Sequence, residues 1–293
     1  MPGAVRELTE FAPAKVNLTL HVLGRRSDGY HEIESLVVFA DVGDRLAFVP
    51  AGTLGLVVQG PTAEAAGASG DNLVLKAARA LAERAPGVRL GQFQLDKQLP
   101  VAAGLGGGSA DAAAALRLLA RASELSPGDS RLYAAAVATG ADVPVCLDPC
   151  PRIMRGIGEI LSGPIALPEL PAVLVNPGVA VPTRDVFSAL AAPPLTPPAQ
   201  ADDFSAITAD AASLVSLLTA RRNDLEIPAI KVQPVIANVL AALQAFPNCL
   251  LARMSGSGAT CFGLFGSVGA AEEAARRLQA TQRGWWVRAT MLR

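Results

Sequence analysis

Hydrophobic and polar positions follow two different periods in the first half of the chain, and each period predicts one kind of element. Alternation with a period of two predicts strands over residues 14–22, 33–40, 45–49, 54–58 and 88–95. Helical spacing predicts helices over residues 72–84, 109–122 and 130–139. A loop is expected over 67–71, before the first of these helices.

The second half begins after a proline-punctuated stretch, Pro164 to Pro171, which predicts a boundary between a domain 1–165 and a domain 166–293. Beyond it the pattern predicts a strand over 172–176, a proline-rich loop over 193–200, helices over 209–220, 235–246 and 270–283, and a strand over 286–292. Two more strands flank Ser255 to Gly258. Helices mixed with strands in this order predict an α+β fold rather than a regular βαβ barrel.

Composition narrows the class of protein. A chain of 293 residues that is 51% hydrophobic can bury a large core. Its formal net charge of −1 predicts neither nucleic acid nor an anionic membrane as partner. No apolar run reaches bilayer length, and the N-terminus lacks a signal-peptide core, so a cytoplasmic protein is expected. Four scattered cysteines predict reduced thiols and no metal site.

The richest motif is a glycine-rich segment that leads directly into an alanine-rich helix. Four of the five positions from 104 to 108 are glycine. Glycine lets the backbone approach a ligand closely, and a helix N-terminus presents free N–H groups, so the segment predicts a phosphate site. It is not a P-loop, because Ser109 and Ala110 follow the last glycine where Lys and Ser or Thr are required. Ser109 also replaces the third glycine of a dinucleotide fingerprint. The alternative is a flexible surface loop.

Two charged residues stand out against apolar neighbours. Lys15 lies in an otherwise apolar strand, where it either extends its ammonium to water or is buried against a carboxylate or phosphate. Asp142 follows a helix end and precedes Val-Pro-Val, where it is either a turn residue or an acid at the rim of a cleft. If the two meet, the ammonium would keep Asp142 ionised and able to accept a proton.

A second glycine motif, Ser255-Gly-Ser-Gly-Ala259, lies between two apolar strands. It is either a simple hairpin turn or a place where the backbone approaches a bound phosphate or substrate.

Along the chain, the strand with Lys15 and Asn17 comes first, the glycine-rich segment second and the Ser255 motif third. With these motifs in this order, the sequence resembles the GHMP kinase superfamily over nearly its whole length. The segment Asp28-Gly-Tyr-His31 narrows the resemblance to the members whose acceptor carries a cytidine diphosphate, in non-mevalonate isoprenoid precursor synthesis. The resemblance implies an N-terminal α/β domain with a left-handed crossover and a ferredoxin-like C-terminal domain. It also implies a small-molecule kinase that uses ATP and Mg²⁺, as a monomer or weak homodimer.

The resemblance further implies roles for individual residues. Asp142 would take the proton from the 2-hydroxyl of the methylerythritol unit, with Lys15 holding it charged. Tyr30 and Phe187 would stack on the two faces of cytosine, His31 would hydrogen-bond its edge, and Asn17 would contact the polar tail of the substrate. Asn72 and Lys97 would lie near the adenine. The residues expected to wrap the ATP phosphates are Pro100, Val101, Ala102, Ala103, Gly104, Leu105, Gly106, Gly107, Gly108, Ser109 and Ala110.

The chain departs from the family pattern in two places. Ala102 stands where many members have glycine, so a positive φ is not expected there. The segment 147–154 replaces a small-residue segment, which leaves its local shape open. Three alternatives remain: a superfamily kinase acting on homoserine or mevalonate, a nucleotide-binding regulator without catalysis, and aromatic residues that only pack the core.

Overall fold

The structure is a computed structural model that describes residues 7–66, 72–196, 204 and 210–293. In chain order its strands are β1 (Leu8–Asn17), β2 (His21–Arg25), β3 (His31–Pro50), β4 (Gly55–Gln59), β5 (Gly91–Asp96), β6 (Arg152–Gly156), β7 (Ile160–Leu161), β8 (Leu170–Asn176), β9 (Cys249–Met254), β10 (Cys261–Phe265) and β11 (Trp286–Leu292). Its α-helices are α1 (Leu73–Arg84), α2 (Gly107–Ala122), α3 (Ser130–Thr139), α4 (Val143–Leu147), α5 (Thr183–Leu190), α6 (Ala211–Thr219), α7 (Glu226–Val232), α8 (Val235–Gln244) and α9 (Val268–Thr281). The predicted loop 67–71 and most of the proline-rich loop lie outside the described residues.

The chain divides into two compact units that alternate along the sequence. Unit 1 comprises the described residues of Met1–Ala14, Gly43–Val101 and Gly106–Pro149. Unit 2 comprises Lys15–Val42, Ala102–Leu105 and the described residues of Cys150–Arg293. Neither unit is one continuous stretch, and the border at 165/166 stays a prediction.

Unit 1 combines a small mixed sheet with four helices. β5 pairs antiparallel with residues 45–50 of β3 and parallel with β4. The parallel pair is connected through α1, which makes a β-α-β crossover whose left hand stays a prediction. Asn72 begins α1 by accepting a hydrogen bond from the Val74 N–H at 2.9 Å.

The central helix of unit 1, α2, is buried on nearly every side. Eleven of its sixteen residues are buried, and seven of these are alanine. A helix that is apolar all round belongs in a core, and alanine lets neighbouring helices approach closely. α2 packs against α1, α3 and α4 in this way.

Unit 2 contains a four-stranded antiparallel sheet with the order β11-β8-β10-β9. The chain visits it as β8, helices, β9, β10, α9 and β11. This connectivity and strand order are those of the split βαβ, or ferredoxin-like, arrangement, as expected for the C-terminal part. α8 and α9 pack on the sheet over a core that includes Val173, Ile236 and Leu278.

Some predicted strands are wrong in their limits. The strand expected over 14–22 is two strands, because Thr19 leaves the ladder and bonds through its side chain and carbonyl to Leu36 and Ser35. The strands expected over 33–40 and 45–49 are one strand, β3. Gly43 allows this continuity, since a Cβ there would collide with the backbone of Ala12. The open segment 147–154 ends in β6, which pairs with β3.

All four cysteines are free thiols. Within the described ranges, no helix is both long and apolar enough to cross a membrane. The same residues contain no group of three or more His, Cys, Asp or Glu side chains arranged to hold a metal ion.

Candidate active site

The glycine-rich segment, Pro100–Ala110, starts and ends in unit 1, while its middle, Ala102–Leu105, belongs to unit 2. α2 begins at Gly107, two residues before the predicted start. Gly106 before it has a φ of 61°, and no side chain caps the helix. The first-turn N–H groups are therefore without a capping side chain, as an anion site at a helix N-terminus requires.

The two glycine motifs contact each other in unit 2. The Ser255 hydroxyl donates to the Gly104 carbonyl at 2.9 Å, and the Thr260 N–H donates to the Ala103 carbonyl at 3.1 Å. Gly104 has a φ of 75°, and a Cβ there would collide with the Ser255 carbonyl. The Ser255 motif is therefore more than a hairpin turn, because it supports the middle of the glycine-rich segment.

Ala102 corrects one expectation from the sequence. Its φ is 50°, in the left-handed region, although its side chain predicted a negative φ. The position keeps the conformation that glycine adopts more easily in this place.

Lys15 and Asn17, at the end of β1, both bond through their backbone to the two glycine motifs. The Lys15 side chain is only 4% exposed, which confirms its burial, and its backbone N–H donates to the Leu105 carbonyl at 2.8 Å. The Asn17 N–H donates to the Ser255 hydroxyl at 3.1 Å, and its side-chain amide donates to the Ser35 hydroxyl at 2.8 Å. The Asn17 Oδ1 atom is buried without a hydrogen-bond partner in the described structure.

Asp142 lies in unit 1, at the N-cap position of α4. It is half-buried, and its carboxylate does not cap the helix. Lys15 belongs to unit 2, so the pairing of these two residues stays a prediction.

The two residues expected near the adenine both have partners in unit 1. Asn72 caps α1, as described above. The Lys97 ammonium lies 2.5 Å from Asp44 Oδ2 and 2.8 Å from Asp111 Oδ2, and its side chain is 5% exposed. Their roles toward a nucleotide stay predictions.

The residues expected at the cytosine lie in unit 2. The rings of His31 and Phe187 are stacked, with centroids 4.6 Å apart and an angle of 23° between their planes. Tyr30 is exposed, while its backbone N–H is fixed by Asp28 at 3.0 Å. Burial, together with the positive charge of Arg25, lowers the pKa of His31. A neutral imidazole, which can donate or accept a hydrogen bond, is thereby favoured at neutral pH.

Sequence reasoning missed three contributors to this region. The sequence predicts the Ser255 motif as a turn or a backbone approach to a ligand but gives no role to the Ser255 hydroxyl, and it does not single out Asp44 or Asp111. Asp111 carried a usable signal, because it is the one acidic residue in the alanine-rich helix. Asp44 carried none, since it lies between two predicted strands where an acidic turn residue is ordinary.

Family comparisons agree with this arrangement. Residues 72–148 match the model of the GHMP kinases N terminal domain, and residues 205–284 match that of the GHMP kinases C terminal domain. The first range includes the segment Pro100–Ala110, and the second includes Ser255.

Relatives are similar over nearly the full length. A protein of Xanthobacter autotrophicus named 4-diphosphocytidyl-2-C-methyl-D-erythritol kinase is 56% identical over 96% of this chain and 98% of its own. A protein of Methylobacterium radiotolerans with the same name is 56% identical over 98% and 99% of the two chains.

A solved 4-(cytidine 5'-diphospho)-2C-methyl-D-erythritol kinase superposes with a TM-score of 0.76 at 36% identity, over 97% of this chain and 99% of that one. A homoserine kinase from Cytophaga hutchinsonii shares the fold, with a TM-score of 0.71 at 17% identity, over 99% and 96% of the two chains. The uncapped helix start, the joined glycine motifs and these full-length similarities lead to one conclusion: the chain belongs to the GHMP kinase family of small-molecule phosphotransferases.

Proposed function

We propose that the protein transfers the γ-phosphoryl group of ATP to the 2-hydroxyl of 4-diphosphocytidyl-2-C-methyl-D-erythritol. The products are the 2-phosphate and ADP, in isoprenoid precursor synthesis by the non-mevalonate route. The observation that carries the proposal is the stacked pair His31 and Phe187, next to the exposed Tyr30. A stacked pair of flat rings suits a nucleobase, and it supports for this chain the substrate named for its relatives.

The reaction needs a base that accepts the hydroxyl proton and a binding site for the triphosphate. In the proposed mechanism Asp142 accepts the proton while the hydroxyl oxygen forms the new bond to the γ-phosphorus. The bridging oxygen leaves with ADP. Lys15 is proposed to hold Asp142 in its ionised form, as the family resemblance implies.

Positioning and charge neutralisation supply most of the catalysis in phosphoryl transfer. The N–H groups at the start of α2 suit the phosphates, since Gly106 leaves them without a capping side chain. The Oδ1 atom of Asn17 is buried and has no hydrogen-bond partner in the described structure, so it suits a hydroxyl group of the substrate as donor. A buried oxygen gains most from a hydrogen bond that is otherwise missing. Asn72 remains the candidate neighbour of the adenine.

Magnesium would neutralise charge on the triphosphate during transfer. The described residues offer no cluster of carboxylates, imidazoles or thiols for it. We therefore assign the ion to the phosphates of ATP rather than to a site built by the protein. We also propose that the protein is cytoplasmic and has no nucleic-acid partner. We propose that it is a monomer or a weak homodimer, and sedimentation at several concentrations would test this oligomeric state.

Homoserine and mevalonate are the competing acceptors, and neither carries a flat base. An assay of ADP release with each of the three acceptors tests the proposal. We expect turnover with the diphosphocytidyl acceptor alone, and substitution Tyr30→Ala should raise the KM for it. Turnover with mevalonate or homoserine would replace the proposed substrate, and the absence of ADP release with all three would support a regulator without catalysis.

A further inference from the structure

Three buried charges in unit 1 form one ion triad behind the glycine-rich segment. The Lys97 ammonium is held by Asp44 at 2.5 Å and by Asp111 at 2.8 Å. The side chains of Lys97, Asp44 and Asp111 are 5%, 0% and 3% exposed. Buried charges of this kind persist only when they are paired, so the three side chains depend on one another.

Asp44 fixes the start of the segment. Its Oδ1 atom accepts hydrogen bonds from the N–H groups of Gln98 at 2.6 Å and Leu99 at 2.9 Å. The Leu99 carbonyl in turn accepts from the Thr62 hydroxyl at 2.8 Å. Pro100, the first residue of the glycine-rich segment, follows directly. The residue before the segment, Leu99, is therefore fixed by hydrogen bonds at both its N–H group and its carbonyl.

Asp111 fixes the end of the segment. It lies one residue beyond Ala110, in the second turn of α2, and Lys97 joins it to Asp44. The triad also lies close to the helix start: a Cβ on Gly107 would be 3.5 Å from the ammonium nitrogen and 3.6 Å from Asp44 Oδ2. A side chain at Gly107 would therefore contact the triad, which places the start of α2 beside it.

We propose that Lys97 is a positioning residue for ATP, acting through the triad on both ends of the glycine-rich segment and not by contact with the nucleotide. Two of its three N–H donors are used by carboxylates, and almost none of its surface is exposed. Its positive charge also offsets two carboxylates that would otherwise repel an anion. This assigns Lys97 a different role from the neighbour of adenine that the family resemblance implies.

This inference rests on the proposed use of ATP. Calorimetry of nucleotide binding, without the substrate that accepts the phosphoryl group, distinguishes a failure of the inference from a failure of the proposed function. Absence of ATP binding by the unaltered protein would contradict the proposed function, whatever the variants do. The variants are Lys97→Met, which removes the charge, and Asp111→Asn, which keeps the volume. Lys76→Met is the matched control, because Lys76 bonds to the Thr139 carbonyl at 2.7 Å, away from the triad.

We expect Lys97→Met to weaken ATP and ITP by the same factor, about ten- to hundredfold, because both nucleotides share the triphosphate and depend on loop placement. Lys97→Met should lower the unfolding free energy, because it leaves two buried carboxylates without their cation, so binding is measured where circular dichroism shows the variant folded. The KM for the acceptor should stay unchanged there, which a general loss of structure would not allow. Asp111→Asn should weaken the binding of ATP and ITP equally as well, by a smaller factor. If Lys97→Met does not fold, Asp111→Asn is the variant that is compared with the unaltered protein. Lys76→Met should bind as the unaltered protein does.

The opposite results are equally clear. A change in the ratio of ATP to ITP affinity in Lys97→Met or Asp111→Asn would mean that the triad recognises the base, since the two nucleotides differ only there. Unchanged affinity for both nucleotides in a folded variant would also overturn the proposal.

Discussion

At the scale of single residues, the proposed chemistry depends on a few charged groups that are buried away from water. Lys15 and Lys97 are both 4% exposed, yet they have different surroundings. Lys97 is enclosed by two carboxylates, whereas the Lys15 backbone bonds to the glycine-rich segment itself at Leu105. The two carboxylates make Lys97 a candidate for positioning, while the catalytic role of Lys15 stays a prediction.

Asp142→Asn tests the proposed base. The amide cannot accept the hydroxyl proton, so we expect turnover to fall by about 10²- to 10⁴-fold while ATP affinity changes little. Steady-state ADP release and equilibrium nucleotide binding measure the two quantities. Asp148→Asn, an exposed acid at the other end of α4, serves as the control. Near-normal turnover in Asp142→Asn would show that another group takes the proton.

Local sequence predicted these residues unevenly. A lysine among apolar neighbours indicated that Lys15 is either buried or snorkelling, and the structure shows it buried. The triad could not be predicted, because its three members come from β3, from the end of β5 and from α2. Spatial partners that are 53 and 14 residues apart leave no periodic signal in the chain.

At the scale of elements, long periodic segments were predicted well and short ones were missed. The helices over 72–84 and 130–139 and the strand 286–292 are confirmed within a residue or two. The short helices α4 and α7 were not predicted, because each contains a proline and is seven residues or fewer. Their stability comes from packing rather than from a local pattern.

Gly104→Ala tests the contact between the two glycine motifs. Because φ is 75° and a Cβ would meet the Ser255 carbonyl, we expect a loss of about 1–3 kcal/mol in unfolding free energy and weaker ATP binding. Chemical denaturation measures the first effect. The matched control is Gly128→Ala, where nothing lies within 4 Å of the new Cβ. Equal stability of both variants would contradict the tight contact.

Ala113→Leu tests the close packing of α2. Ala113 is fully buried in the helix, so the larger side chain should cost about 1–3 kcal/mol of stability through overpacking. Ala134→Leu, an exposed alanine on α3, should change stability by no more than about 0.5 kcal/mol. Thermal unfolding of the two variants gives the comparison, and a tolerated leucine at 113 would indicate free space around α2.

At the scale of the whole molecule, the buried triad makes stability depend on pH. Burial raises the pKa of Asp111 to about 7, against the opposing effect of Lys97. The folded protein therefore binds this proton more tightly than the unfolded chain does. Its contribution to stability is present at low pH and is lost as the pH rises from about 4 to about 7.

Asp111→Asn should remove this loss, because an amide does not titrate in that range. We expect the unfolding free energy of the variant, relative to the unaltered protein, to increase between pH 4.5 and pH 8. Denaturant unfolding at several pH values measures the difference. Parallel curves for the two proteins would show that Asp111 is ionised throughout.

The alternation of the two units along the chain has a consequence for how the protein can be taken apart. The polypeptide passes from one unit to the other five times, at 14/15, 42/43, 101/102, 105/106 and 149/150. Two of these passages bracket four residues, Ala102–Leu105, in the middle of the phosphate segment. No single scission of the backbone therefore releases either unit intact, and a gene fragment that encodes one of them would have to be assembled from separate pieces.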